Sequence, residues 1–153
     1  MDTEILIICQ RYDKAQGAGR AESMQAECSV VIDRELVNMI LEGAKSLYPR
    51  ESFLLLRGKK SKNTIKVTDL LVPPLANYGR GFAEVQLHRL PMDFSIVGTV
   101  HSHPSGNLKP SSTDLNHMIG RVLMIMGFPF ADETNIAVYS RSGERLRLQV
   151  TET

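Results

Sequence analysis

The sequence predicts one α/β domain, a mixed β-sheet (α+β in its segregation of elements) flanked by helices. Three observations predict it. The 153 residues, 42% of them hydrophobic, suffice for one sizeable core. Residues 33–47 carry a helical period behind a capping residue. The remainder divides into short runs rich in β-branched and apolar residues, punctuated by Pro, Gly and Asn, with a second helix-like segment at 111–119.

The domain opens with a short strand at Ser29–Ile32. Asp33 is then placed to cap a helix running through Leu47, with Glu35 favourable in its first turn. Leu36, Met39, Ile40, Ala44 and Leu47 recur at helical spacing and are the expected inward face. Pro49 ends the helix by disfavouring the α conformation at Tyr48. Ser52–Leu56 is apolar after its first residue, as a central strand covered on both faces would be. Arg57–Asn63 is a basic, polar turn, and Ile65–Leu71 a returning strand. After a Pro/Gly/Asn-rich loop, Phe82–Leu87 and Ser95–His103 are extended. Ser111–Ile119 is a helix, and Val122–Met126, Asn135–Tyr139 and Arg145–Val150 complete the strands.

Residues 1–28 read as a weakly ordered extension, with at most a short strand at Ile5–Ile8, and 29–153 as the domain proper. Met24 is an alternative physiological start. The apolar run Ile5–Cys9 follows Asp2 and Glu4 and is too short for a secretory signal, and the ten uncharged residues from Val122 to Ala131 are half a membrane span. Two cysteines, Cys9 and Cys28, cannot build a disulfide framework or a Cys-rich zinc ribbon, and neither has the basic neighbours of a nucleophilic thiol. The expected setting is cytoplasmic, with reduced thiols. A net charge of +1 gives no general argument for nucleic acid or membrane binding.

The chemistry concentrates in one segment, from His101 to Asp114. Histidines at i and i+2 on a strand point to one face, so Val97, Thr99, His101 and His103 share a side. Pro104 stops the strand, and a loop with Gly106, Asn107 and Pro110 turns into a helix whose first turn delivers Asp114. Two imidazoles and a carboxylate are a three-ligand set for catalytic zinc that leaves a fourth position open. Ser111, at the helix start, offers a hydroxyl for a developing oxyanion. Ser111–Asp114 also fits a capping box, which requires no catalysis and is compatible with it.

His101-x-His103-Pro104, six residues, Ser111, two residues and Asp114 together resemble the signature of the JAMM (MPN+) zinc metalloproteases. Tyr48-Pro49-Arg50-Glu51 followed by Phe53–Gly58 resembles the family's glutamate-bearing helix-to-strand junction, Val97–Val100 the strand entering the signature, and Phe128-Pro129-Phe130 the segment after the next strand. The resemblance covers about residues 29–150 and is nearest to short stand-alone archaeal members. It implies a cytidine-deaminase-like sandwich around a central sheet, and one zinc per chain held by His101, His103 and Asp114. It also implies Glu51 as the general base, which the sequence alone does not single out from the other glutamates.

The implied activity is hydrolysis of the peptide or isopeptide bond after the C-terminal glycine of a ubiquitin-like or sulfur-carrier-like protein, by deconjugation or precursor processing. An extended Gly-Gly tail could pair with a strand edge, for which Leu75–Val85 is the candidate. Two other readings stand beside it. One is a zinc hydrolase of a small molecule or of a sulfur-carrier C-terminal extension. The other is a non-catalytic MPN scaffold, although such relatives usually lose ligands that are intact here. His117 reads as a partly buried helix histidine that could support the metal, and His88 as a surface residue. Arg57, Lys59, Lys60 and Lys62 form a basic turn that could meet an acidic protein surface.

Overall fold

The computed structural model describes residues 28–73, 77–79, 82–84 and 93–152. The N-terminal extension with its Ile5–Ile8 strand, Cys9, Met24 and His88 lie outside these residues. Nine strands are described: β1 (Ser29–Asp33), β2 (Phe53–Ser61), β3 (Thr64–Leu71), β4 (Asn77–Gly79), β5 (Phe82–Glu84), β6 (Ile96–His103), β7 (Val122–Gly127), β8 (Ile136–Ser140) and β9 (Arg145–Thr151). Two helices, α1 (Arg34–Leu47) and α2 (Ser112–His117), and a 3₁₀ turn at Glu133–Asn135 accompany them. No helix among the described residues is long and apolar enough to cross a membrane.

The expected mixed sheet is present and curls until its edges meet. Strand order is β1-β3-β2-β6-β7-β8-β9, and β1 closes the barrel by pairing in parallel with both β3 and β9. β4 and β5 form a separate two-stranded antiparallel ribbon within the segment 75–85.

Asp33 caps α1 as expected, its carboxylate accepting from the Glu35 N–H (2.8 Å), and Tyr48 leaves the helix in an extended conformation before Pro49. The inward face differs from the expected one. Val37, Ile40, Leu41 and Ala44 are buried, whereas Met39 is 56% exposed. Both sets satisfy a 3.6-residue period, and the packing partners decide between them. These α1 residues join Val30, Ile32, Leu56, Val100, Met124 and Val138 in one core inside the curled sheet.

A second, smaller cluster (Met118, Leu123, Ile125, Ala137 and Tyr139) lies on the opposite face of β7 and β8, with Leu108 and Leu115 packed on it. Two expected boundaries shift. β2 continues through the basic run to Ser61, leaving only Lys62 and Asn63 to turn the chain, because exposed lysines do not interrupt a ladder that β3 completes. α2 ends at His117 rather than Ile119.

Glycine decides how closely β6 and β7 approach. A Cβ on Gly98 would lie 2.3 Å from the Val122 carbonyl oxygen, so no side chain fits there without moving backbone.

Candidate metal centre

β6 is the central support of the site. It pairs antiparallel with β2 and parallel with β7, with Phe53 opposite His101 and His103 opposite Gly127. His101 and Thr99 share their face with Leu123 and Ile125, the face of the smaller core cluster, because registered partners point the same way. α2 packs on that face through Leu115.

The loop from Pro104 to Pro110 is fixed at several points. The Gly106 and Phe128 N–H groups both donate to the His103 carbonyl (3.0 and 3.2 Å), and the Tyr139 hydroxyl donates to the Leu108 carbonyl (2.8 Å). Gly127 makes room for it, since a Cβ there would come within 2.8 Å of the Gly106 carbonyl oxygen and 2.9 Å of Leu108 Cδ2.

The capping box anticipated at Ser111 forms in both directions. The Asp114 N–H donates to Ser111 Oγ (3.0 Å) and the Ser111 N–H to Asp114 Oδ2 (2.7 Å). This orients the carboxylate toward the histidines, with Oδ1 3.4 Å from His101 Nε2 and Oδ2 3.5 Å from His103 Nε2. Ser111 Oγ accepts in this cap, and its own hydrogen remains a donor beside the Asp114 carboxylate.

His101, His103 and Asp114 each bring one ligand atom to within 4.8 Å of the others, the one such metal-binding group among the described residues. The His103 Nδ1 lies 2.6 Å from the Asn107 carbonyl, an acceptor, so its hydrogen sits there and the Nε2 lone pair faces inward. That Nε2 is 3.0 Å from His101 Nε2. Burial pushes His101 down to about 4, with Asp114 opposing and His103 adding to the fall. Two ring nitrogens this close need a proton or a cation between them, and with the Asp114 carboxylate beside them the donor set fits a divalent metal such as zinc.

Asp114 is pushed up by burial, but the Ser111 N–H, His101, the Ser111 hydroxyl and His103 together outweigh this and hold it below the usual carboxylate range. The third ligand is therefore anionic at neutral pH.

Glu51 enters from the β2 side. The ladder between β2 and β6 is extended by Ser52 and Ser102: the Ser102 N–H donates to the Ser52 carbonyl (3.1 Å) and the Ser52 N–H to Ser102 Oγ (2.8 Å). Glu51 immediately precedes this pair, with its carboxyl close enough to feel both His103 and Asp114. Burial raises Glu51 above the ordinary carboxylate range, with His103 pulling it down and Asp114 pushing it further up. A half-buried carboxyl of raised pKa beside a metal-binding group suits proton transfer.

Residues 33–141 match the family model for prokaryotic homologs of the JAB domain. The chain belongs to the prokaryotic JAB (JAMM) family. A Haloferax volcanii protein described as a probable metalloprotease is 34% identical to this JAMM-family chain over 128 residues, 79% of each. A solved JAMM domain, described as a metalloprotease-like zinc site in the proteasome and signalosome, is 32% identical with a TM-score of 0.58, covering 80% of this chain and 98% of its own. A JAB1/MPN domain protein from Archaeoglobus fulgidus is also 32% identical, with a TM-score of 0.56 over 79% of this chain and 98% of its own. Membership makes the His-His-Asp group of this JAMM domain a metalloprotease-like metal site.

His117 is exposed rather than partly buried, and its Nδ1 lies 2.8 Å from the Thr113 carbonyl. Sequence reasoning missed the roles of Asn107, Ser102, Gly127 and Tyr139. Asn107 acts through its backbone carbonyl, which no side-chain pattern reveals. Tyr139 did carry a signal, because a phenol in an otherwise apolar strand needs a polar partner.

Proposed function

We propose that this JAMM domain is a zinc-dependent metallo-isopeptidase, holding one zinc per chain, that hydrolyses the peptide or isopeptide bond after the C-terminal glycine of a ubiquitin-like modifier. The observation that carries the reading is the half-buried Glu51 carboxyl beside the His101–His103–Asp114 group, where it feels both His103 and Asp114. A purely binding scaffold has no use for a carboxyl of raised pKa beside three metal donors.

His101, His103 and Asp114 would hold the ion. Zinc there would supply Lewis acidity and make water easier to deprotonate near neutral pH. Glu51, as carboxylate, takes the proton of the attacking water and hands it to the departing amine. Ser111 turns its hydroxyl hydrogen from Asp114 to the carbonyl oxygen as negative charge develops there. The Asn107 carbonyl keeps His103 in one tautomer throughout.

A Gly-Gly tail is thin enough for a narrow approach, and the ribbon of Asn77–Gly79 and Phe82–Glu84 lies in the segment we assign to pairing with it. A chain with only two cysteines, both within residues 1–28, suits a small prokaryotic modifier in a reducing cytoplasm.

The test uses zinc-loaded protein with linear and lysine-linked fusions of small modifiers ending in Gly-Gly. Cleavage after the second glycine of the lysine-linked fusion is expected. Cleavage of the linear fusion alone makes the enzyme a precursor processor, and cleavage of neither overturns the reading.

A further inference from the structure

The chain is almost neutral, with 18 Lys+Arg against 17 Asp+Glu, yet its charge is segregated. On the four adjacent strands β2, β3, β1 and β9, the inward residues alternate with an outward set. Lys59 is registered directly against Lys66, and Thr64, Ser29 and Arg147 follow one another across β3, β1 and β9. Arg145 lies two residues before Arg147 on the same face, and Lys62 sits in the β2–β3 turn. All five cations are exposed.

The neighbouring acids are engaged elsewhere. Asp69 and Asp93 hold Arg57, which removes that residue from the basic group expected from the sequence, and Glu152 holds Arg34. Among the described residues no carboxylate pairs with any of the five cations, and Glu144 stands only at the margin, in the turn before β9. Like charges directly across a ladder are destabilising, so Lys59 facing Lys66 costs the fold stability.

Lys59 lies six residues along β2 from Phe53, the residue registered against His101, about 20 Å at the strand rise, so this face is separate from the metal centre.

We propose that the outer face of β2, β3, β1 and β9 is a docking surface for an acidic protein. Charge complementarity calls for an anionic partner. A nucleic acid is the poorer fit, since the residues between the cations are Ser29, Val31, Thr64 and Gln149, with no aromatic ring for a base to stack on. The proposal does not depend on the isopeptidase reading, because docking here requires neither metal nor Glu51.

Fluorescence anisotropy with labelled poly-L-glutamate, and with a DNA oligonucleotide of equal charge, tests it on the full chain. The polyglutamate should bind at about 0.02 M salt and be released by about 0.2 M. Lys59→Glu should weaken it about three- to fivefold, as expected for one exposed ion pair lost. The same variant should raise Tm, because it turns a like-charge pair into an opposite one. Arg121→Glu, an equal charge change outside the face, should leave binding within twofold of the parent, roughly the effect of a distant screened charge. Three results would each overturn the assignment: no polyglutamate binding at low salt, equal loss in both variants, or tighter binding of the DNA. A lower Tm for Lys59→Glu would also overturn it, by showing that Lys59 serves a contact within the fold.

Discussion

Ser52 is hydrogen-bonded twice to Ser102, and this pair holds the preceding residue, Glu51, where its carboxyl feels both His103 and Asp114. The relationship explains how a residue fifty positions from the ligand motif becomes part of its chemistry. The Ser52–Ser102 pair anchors the approach to β2 beside β6, and burial of the Glu51 carboxyl there raises its pKa.

The same burial predicts a stability signature. A raised carboxyl pKa in the fold means that the folded state binds its proton more tightly than the unfolded state. That stabilisation is full below the ordinary value of 4.5 and is lost as pH rises through the higher folded value. Metal-free Glu51→Gln should therefore melt higher than the metal-free parent at pH 7 and show a smaller advantage at pH 4. Thermal unfolding of the two proteins in chelator at both pH values checks this.

The ligand set predicts how metal is lost. His103→Ala and Asp114→Ala each leave two donors, and a tightly held zinc should fall well below one per chain by metal analysis after dialysis. Asp114→Ala also breaks the reciprocal cap, so it should cost about 1 kcal/mol more stability than His103→Ala in metal-free urea unfolding.

Gly127 predicts a route to damage without touching a ligand. Gly127→Ala drives a Cβ into the Gly106 carbonyl and Leu108, so the loop must move. A loss of about 1–3 kcal/mol is expected from overpacking, with weaker zinc binding beside it. Tyr139→Phe removes the donor to the Leu108 carbonyl and should cost about 0.5–1.5 kcal/mol. Urea unfolding and competitive zinc titration measure both.

Ser111 combines a cap with a donor, and two substitutions separate them. Ser111→Ala should lower kcat by about 10²–10³ and lose about 1 kcal/mol of stability. Ser111→Asp keeps a capping oxygen but offers no hydrogen at neutral pH. It should recover most of the stability and none of the rate, as read from melting and steady-state kinetics.

Much of this site was legible because its signals are local. Asp33, Pro49 and the Ser111–Asp114 box act within one helical turn, and the His101/His103 alternation follows from strand geometry alone. The inward face of α1 was not, since rotating the helix to bury Val37 and Leu41 instead of Met39 keeps the same period. Barrel closure through β1, and the opposition of Lys59 to Lys66, depend on pairings between distant residues that leave no mark in a short window. Glu51 came from the family resemblance, and its physical reason came only with its burial beside His103 and Asp114.

The central claim is that Glu51 moves the proton while three other side chains hold the metal. The most direct measurement is zinc content together with cleavage of a Gly-Gly-linked fusion by Glu51→Gln, an isosteric change that leaves His101, His103 and Asp114 in place. The account predicts close to one zinc per chain and no detectable cleavage. Cleavage at the parent rate by a zinc-loaded Glu51→Gln protein would contradict it.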